Sequence, residues 1–192
     1  INFGEINIYG NFTEPDLFSN IGTVNLVGDA ATLVGDIKFS GTLGIKSKNY
    51  TYANSISGPN FIKIAADATF NIPANRMFTL DATLSGAGNV INNGVINIIN
   101  NGKIDNINIA GNGTIIVNPE VVMNIINDLN GPGQVFNNYG TLKIQGNRNI
   151  NAVTYASPGV QVFTITNQNI YDSITSNGAI NLSGGTVDIV ST

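Results

Sequence analysis

Apolar residues recur along this chain two positions apart, behind a small or turn-forming residue. GEINI at Gly4, GTVNL at Gly22, GTLGI at Gly41 and ATFNI at Ala68 are followed by GVINI at Gly94, GTIIV at Gly113, GTLKI at Gly140, PGVQV at Pro158 and GAINL at Gly178. The nine anchors stand 18, 19, 27, 26, 19, 27, 18 and 20 residues apart. Successive side chains of an extended strand point to opposite sides, so the second and fourth residues after each anchor share one face. This predicts the inward pairs Ile6/Ile8, Val24/Leu26, Leu43/Ile45, Phe70/Ile72, Ile96/Ile98, Ile115/Val117, Leu142/Ile144, Val160/Val162 and Ile180/Leu182. Helical spacing is not sustained anywhere. One short strand cannot bury its own apolar pair, and a strand recurring at this period predicts a solenoid whose rungs pack on their neighbours. One pentamer per rung gives nine rungs, which at about 4.8 Å each make a rod roughly 40 Å long.

A longer repeat overlies the first. Residues 68–94 align with residues 113–140 at an offset of 45 to 46, so that Met77 matches Val122 and LSGAGNVINNG, from Leu84, is echoed by LNGPGQVFNNYG, from Leu129. Two rungs are therefore expected to form one duplicated unit. The five Asn-Gly pairs at Asn93, Asn101, Asn112, Asn130 and Asn177 are expected to supply positive-φ corners. Asn7, Asn25, Asn71, Asn97 and Asn181 all follow their anchors by three residues, where stacking would join their amides in a ladder.

Composition narrows the function. The length of 192 residues suits one domain, here residues 1–192, with room for a core. Charged residues are only 10% of the chain, against roughly 25% in an average domain, while 32 are Asn and 28 are Ile. A hydrophobic content of 42% is enough to fold. An A+T-rich genome would enrich Lys as well, yet there are six, so Asn is selected for its chemistry. The net charge of -4 and pI near 4.5 lack the basic footprint of a nucleic-acid binder. The chain has no Cys and no His, which removes disulfides, thiolate sites, the commonest general base and the usual metal ligand. No cofactor and no metal are expected. No run of 18 apolar residues occurs, and Ile1 opens in mid-pattern, so the chain is expected to be a piece of something longer.

Few residues suggest chemistry. Solenoid glycan-processing enzymes gather carboxylates from neighbouring rungs, and Asp81, Asp105 and Asp128 are spaced by roughly one rung, but the longer repeat does not align them with one another. They read as solvated turn carboxylates, and no catalytic residue is assigned. GGTVDI, from Gly184, occurs once and departs from the calcium-binding glycine-aspartate repeat. Thr23, Thr42, Thr69, Thr114 and Thr141 suit a β surface, but Gly44, Ile116 and Lys143 interrupt the ranks an ice-binding face needs. The densest surface chemistry is IKSKNYTY, Ile45 to Tyr52, in what the anchor spacing makes an insert of the first long rung. Lys46, Lys48, Tyr50 and Tyr52 would supply charge for steering and aromatic area for contact there. An ordinary exposed hairpin accounts for the same alternation.

The GTVNL, GVINI, GTLKI and GAINL pentamers, the NNG corners, the absence of Cys and the Asn/Ile bias resemble the passenger region of bacterial autotransporters, and within that class are similar to rickettsial outer-membrane surface antigens. The resemblance implies an all-β, right-handed parallel β-helix displayed at the bacterial surface. It implies a non-enzymatic adhesin whose partner is a host cell-surface protein or glycan, with membrane attachment only through a C-terminal barrel outside this sequence. A β-helix polysaccharide lyase or hydrolase is the alternative. The resemblance rests on a scaffold and transfers no site residue.

Overall fold

A computed structural model describes residues 4–13, 22–28, 32–34, 37–38, 41–51, 56–57, 60–125, 128–130, 133–152, 154–167, 170–176 and 178–191. Among these there are strands and turns but no helix. The chain is a parallel β-solenoid in which each turn contributes one strand to each of three faces. In two successive turns Phe61–Ile64, Thr69–Ile72 and Met77–Leu80 are followed by Thr83–Gly86, Asn89–Asn92 and Val95–Ile98, each lying in register on its predecessor of the same face.

The first face is a ladder of Glu5–Ile8, Thr23–Leu26, Thr42–Ile45, Phe61–Ile64, Thr83–Gly86 and Lys103–Asp105. The second stacks Tyr50–Thr51, Thr69–Ile72, Asn89–Asn92 and Asn108–Ala110. The third runs through Met77–Leu80, Val95–Ile98, Thr114–Val117, Val135–Asn138, Thr154–Ala156 and Ala179–Asn181. Beyond Lys103–Asp105 and Asn108–Ala110 the first two faces pass to Val122–Ile125 and Leu129–Asn130, which open further parallel ladders.

The longest unbroken ladders hold six strands, against the nine rungs expected, and the first face goes on past its six into the ladder of Val122–Ile125. All nine pentamers do form strands or lie on one, but they are shared among the faces. GTLGI is on the first, ATFNI on the second, GVINI and GTIIV on the third. Each face uses the same local code, because each needs two inward apolar residues after a tight corner. Counting pentamers therefore does not count turns. The longer repeat fails as a structural unit for the same reason: Gly94 opens a third-face strand, whereas Gly140 opens Thr141–Ile144 in the ladder of Val122–Ile125.

Seven of the nine predicted inward pairs line the core, Ile6 being only partly buried. The interior is closed by Ile and Leu ladders and by three aromatic contacts. Tyr50 stacks on Phe70 at 5.7 Å, Phe70 meets Phe78 edge-on at 5.1 Å, and Phe136 lies 5.7 Å from Tyr155. Two pairs depart from the expectation. At PGVQV the alternation is inverted, and Gln161 points inward while Val160 and Val162 are half-buried. Ile180 and Leu182 are 47% and 41% exposed. Ile180 lies in register with buried Tyr155, but among the described residues no further third-face strand covers it.

The Asn-Gly corners work differently from the prediction. Among the described residues positive φ is found at Asn100, Asn106, Gly41, Gly86, Gly111, Gly146 and Gly184, none of which belongs to those pairs; Gly131 and Asn177 lie outside the described residues. Gly94 and Gly113 are small for a steric reason, since a Cβ at Gly113 would overlap Gly94 O and one at Gly94 would overlap the carbonyls of Pro73 and Arg76. Amide ladders form, but pairwise on separate faces. Asn25 Nδ2 donates to Asn7 Oδ1 at 3.0 Å, Asn108 Nδ2 to Asn89 Oδ1 at 2.9 Å and Asn118 Nδ2 to Asn97 Oδ1 at 2.6 Å.

Candidate functional site

The outer surface of the first face carries a groove of about 610 Å³ that crosses four successive strands and their outgoing corners. Outward positions on these strands stack in two columns. One runs Glu5, Thr23, Thr42, Phe61, Thr83, Lys103, the other Asn7, Asn25, Gly44, Lys63, Ser85, Asp105. The groove exists because the second column is low in its middle. Gly44 presents no side chain, and a Cβ there would overlap Asn25 Oδ1, so the Asn25 amide lies down over the glycine. Ala65, Ala66 and Ala87 keep the corner side of the groove shallow.

Polar groups line it in a fixed arrangement. Asn25 Nδ2 is held by Asn7 Oδ1 and by Glu5 Oε1, and Lys46 Nζ reaches the same Glu5 oxygen at 3.4 Å. Lys63 Nζ stands 5.9 Å from the centre of the Phe61 ring. Thr23, Thr42 and Ser85 add half-buried hydroxyl groups. Past Gly86 and Ala87 the surface dips again into a hollow of about 280 Å³ bordered by Asn89, Asn106, Asn108 and Asp128.

The residues expected to bind are divided by the fold. Thr42 lies in register with Phe61, so the turn that carries IKSKNYTY is an ordinary turn and not an insert. The long anchor spacing arose because GTLGI and ATFNI lie on different faces. Lys46 is on the groove wall, and Lys48 is exposed in the corner between the first and second faces. Tyr50 corrects the prediction outright, being 1% exposed and packed on Phe70, because it opens a second-face strand at the inward position that Phe70 fills in the next turn. Tyr52 lies outside the described residues. Lys63 was missed since its strand, FIKI, follows Asn60 and has no glycine anchor. Thr23 and Thr42 were visible as threonines, but only the stacking of their strands makes them neighbours.

The three aspartates do not form a shared site. Asp105 closes a first-face strand, while Asp81 follows a third-face strand and Asp128 precedes a second-face one. Asp81 accepts hydrogen bonds from Asn100 Nδ2 at 3.0 Å and from the Asn101 N–H at 3.3 Å, and Asp128 Oδ1 accepts one from the Asn149 N–H at 3.0 Å. These carboxylates tie one turn to the next. Among the described residues no group of three or more acidic, His or Cys side chains is placed to hold a metal ion, and the threonine ranks are broken, Thr23 and Thr42 being followed by Phe61.

Burial pushes the Tyr155 phenol up from 10.0 to about 12, opposed in part by its hydrogen bond with Ser157. It is a structural group, remote from the groove.

These features define a parallel β-solenoid with a polar groove along one face. Compared with protein-family models, curated proteins and solved structures, the chain matches none.

Proposed function

We propose that this chain is a non-enzymatic binding rod displayed at a bacterial surface, a passenger segment that attaches the cell to a host surface. The observation that carries the reading is the groove across the first face. Among the described residues its lining offers ammonium and hydroxyl groups on strands hydrogen-bonded along both edges, and the adjoining Glu5 carboxylate is held by Asn25 and Lys46. Such a lining holds a ligand, whereas glycoside hydrolysis ordinarily needs a pair of carboxyl groups facing one another across the scissile bond. The pentamer code, the Asn-rich corners and the absence of Cys support surface display through their resemblance to autotransporter passengers. A rigid rod with its contacts on one long side suits attachment, since little conformational freedom is lost on binding.

The test is saturable attachment of the fluorescently labelled chain to cultured host cells, run beside a reducing-end assay on a panel of polysaccharides. Attachment without release of reducing ends supports the reading. Turnover of any polysaccharide, or no attachment to any cell type, overturns it.

A further inference from the structure

We infer that the first-face groove binds a linear anionic glycan, with Lys46 and Lys63 contacting its acidic groups; this rests on the binding function proposed above and names its ligand class. The chain holds only eight cationic residues in all, and two of them line this one groove. They come from neighbouring turns, Gly44 lying in register with Lys63 and Lys46 following Ile45. Neighbouring turns stand about 4.8 Å apart, so the two ammonium groups can meet successive charges of an extended chain. Lys46 is paired with Glu5, but both side chains are about half exposed, at 46% and 54%. An ion pair in that setting is worth little and yields to a competing anion. Lys63 is steered by the Phe61 face rather than by a carboxylate.

The remaining surface distinguishes a sugar chain from an acidic peptide. Thr42–Ile45 is paired on both sides, with Thr23–Leu26 and Phe61–Ile64, so no strand edge in the groove can accept a peptide by β-augmentation. The floor of Gly44, Gly86 and the three alanines contains no pocket for peptide side chains but gives a shallow surface for the apolar face of a pyranose. Thr23, Thr42 and Ser85 match sugar hydroxyls. Past Ala87 the Asn89, Asn106 and Asn108 amides extend this neutral hydrogen-bonding surface, and Asp128 disfavours acidic groups there. The groove thus has a cationic end and a neutral end, which fixes the direction of a bound chain.

The experiment is calorimetric titration of the purified protein with a heparin hexasaccharide, a hyaluronan hexasaccharide, a neutral dextran hexasaccharide and a hexaglutamate peptide. The sulfated or the uronate sugar should bind, more weakly as salt rises, and the dextran should not. Lys46→Gln with Lys63→Gln should weaken that binding about tenfold or more while Lys143→Gln, outside the groove, leaves it unchanged. Unaltered thermal unfolding of the double variant excludes loss of fold. Failure of both acidic sugars to bind, binding indifferent to the double substitution, or hexaglutamate binding as tightly as the sugars overturns the inference. Cell attachment by the double variant separates the two readings. If the parent attaches and the double variant attaches equally, the adhesive function stands and the groove assignment falls. If the parent attaches to no cell, the adhesive function itself falls.

Discussion

Gln161 lies directly over Leu142 in the parallel ladder, so an amide fills the inward position that the turn below fills with a branched hydrocarbon. Its side chain is 1% exposed. Oε1 accepts a hydrogen bond from the Tyr155 hydroxyl at 2.9 Å, while Nε2 has no partner among the described residues. Nearby, Asn138 Nδ2 donates to Ser157 Oγ at 2.9 Å. The core here is a small polar island in an Ile and Leu interior.

A buried donor without an acceptor costs about 1–3 kcal/mol, and removing both members of a buried pair can be neutral or stabilising. Gln161→Leu alone removes the orphan Nε2 but deprives the Tyr155 hydroxyl of one partner, so its unfolding midpoint should move little. Combined with Tyr155→Phe it should raise stability by about 1 kcal/mol. Urea unfolding of both single variants and the double variant gives the coupling. A double variant less stable than either single one would show that the island is tightly satisfied.

The same tyrosine predicts a pH dependence. Its folded pKa, about 12, lies above the ordinary 10.0 because burial disfavours the phenolate. The fold therefore holds this proton more tightly than the unfolded chain does. The stabilisation is complete below pH 10 and is lost as pH rises through about 12, at a limiting slope of about 1.4 kcal/mol per pH unit. Denaturant unfolding from pH 9 to 12 should show this loss in the parent and a shallower one in Tyr155→Phe. Equal slopes would mean that Tyr155 titrates normally.

Strand identity was legible in the sequence, and face identity was not. Ile96 and Ile98 announce an inward pair because alternation behind a glycine is local, but nothing local separates a first-face pentamer from a third-face one. GVINI and GTLKI use the same arrangement on different faces. Tyr50 was misread because nothing local shows that it opens a second-face strand whose first residue stacks on inward Phe70. The groove was invisible since it depends on which residues stack: Gly44 matters because Asn25 lies over it and Lys63 beside it.

Stacking also fixes which glycines can change. Gly113 has ordinary φ, yet a Cβ there would run into Gly94 O and the Asn92 amide. Gly113→Ala should cost about 1–3 kcal/mol, the usual range for overpacking. Gly10 has nothing within 4 Å of the same position, and Gly10→Ala should stay within about 0.5 kcal/mol of the parent. Thermal melts of the two variants decide it. Equal tolerance would show that neighbouring turns can slide apart at this corner.

Residues 94–112 form one whole turn, 19 residues long, that supplies Val95–Ile98 to the third face, Lys103–Asp105 to the first and Asn108–Ala110 to the second. Its neighbours meet it through equivalent bonds: the Val95 N–H donates to Arg76 O at 2.9 Å, as the Thr114 N–H does to Gly94 O at 2.8 Å. Deleting the turn joins Asn93 to Gly113, brings Thr114 over Met77 in place of Val95 and sets Ile115 over Phe78 in place of Ile96. The joined corner keeps a glycine, Gly113 standing where Gly94 stood. Because solenoid energetics are nearly one-dimensional, the product should be a shorter folded rod with parent-like circular dichroism. Substitution within the turn is different. Ile96 and Ile98 are both fully buried, and truncating each costs about 2–5 kcal/mol even before charge is added. Ile96→Asp with Ile98→Asp therefore exceeds the margin of an ordinary domain, about 5–15 kcal/mol in total, once two carboxylates are buried without partners. Limited proteolysis should cut this variant within residues 94–117 and leave the deletion variant intact. The opposite outcome, an intact double-aspartate rod beside an unfolded deletion, would place these isoleucines on the outside and undo the register of the third face.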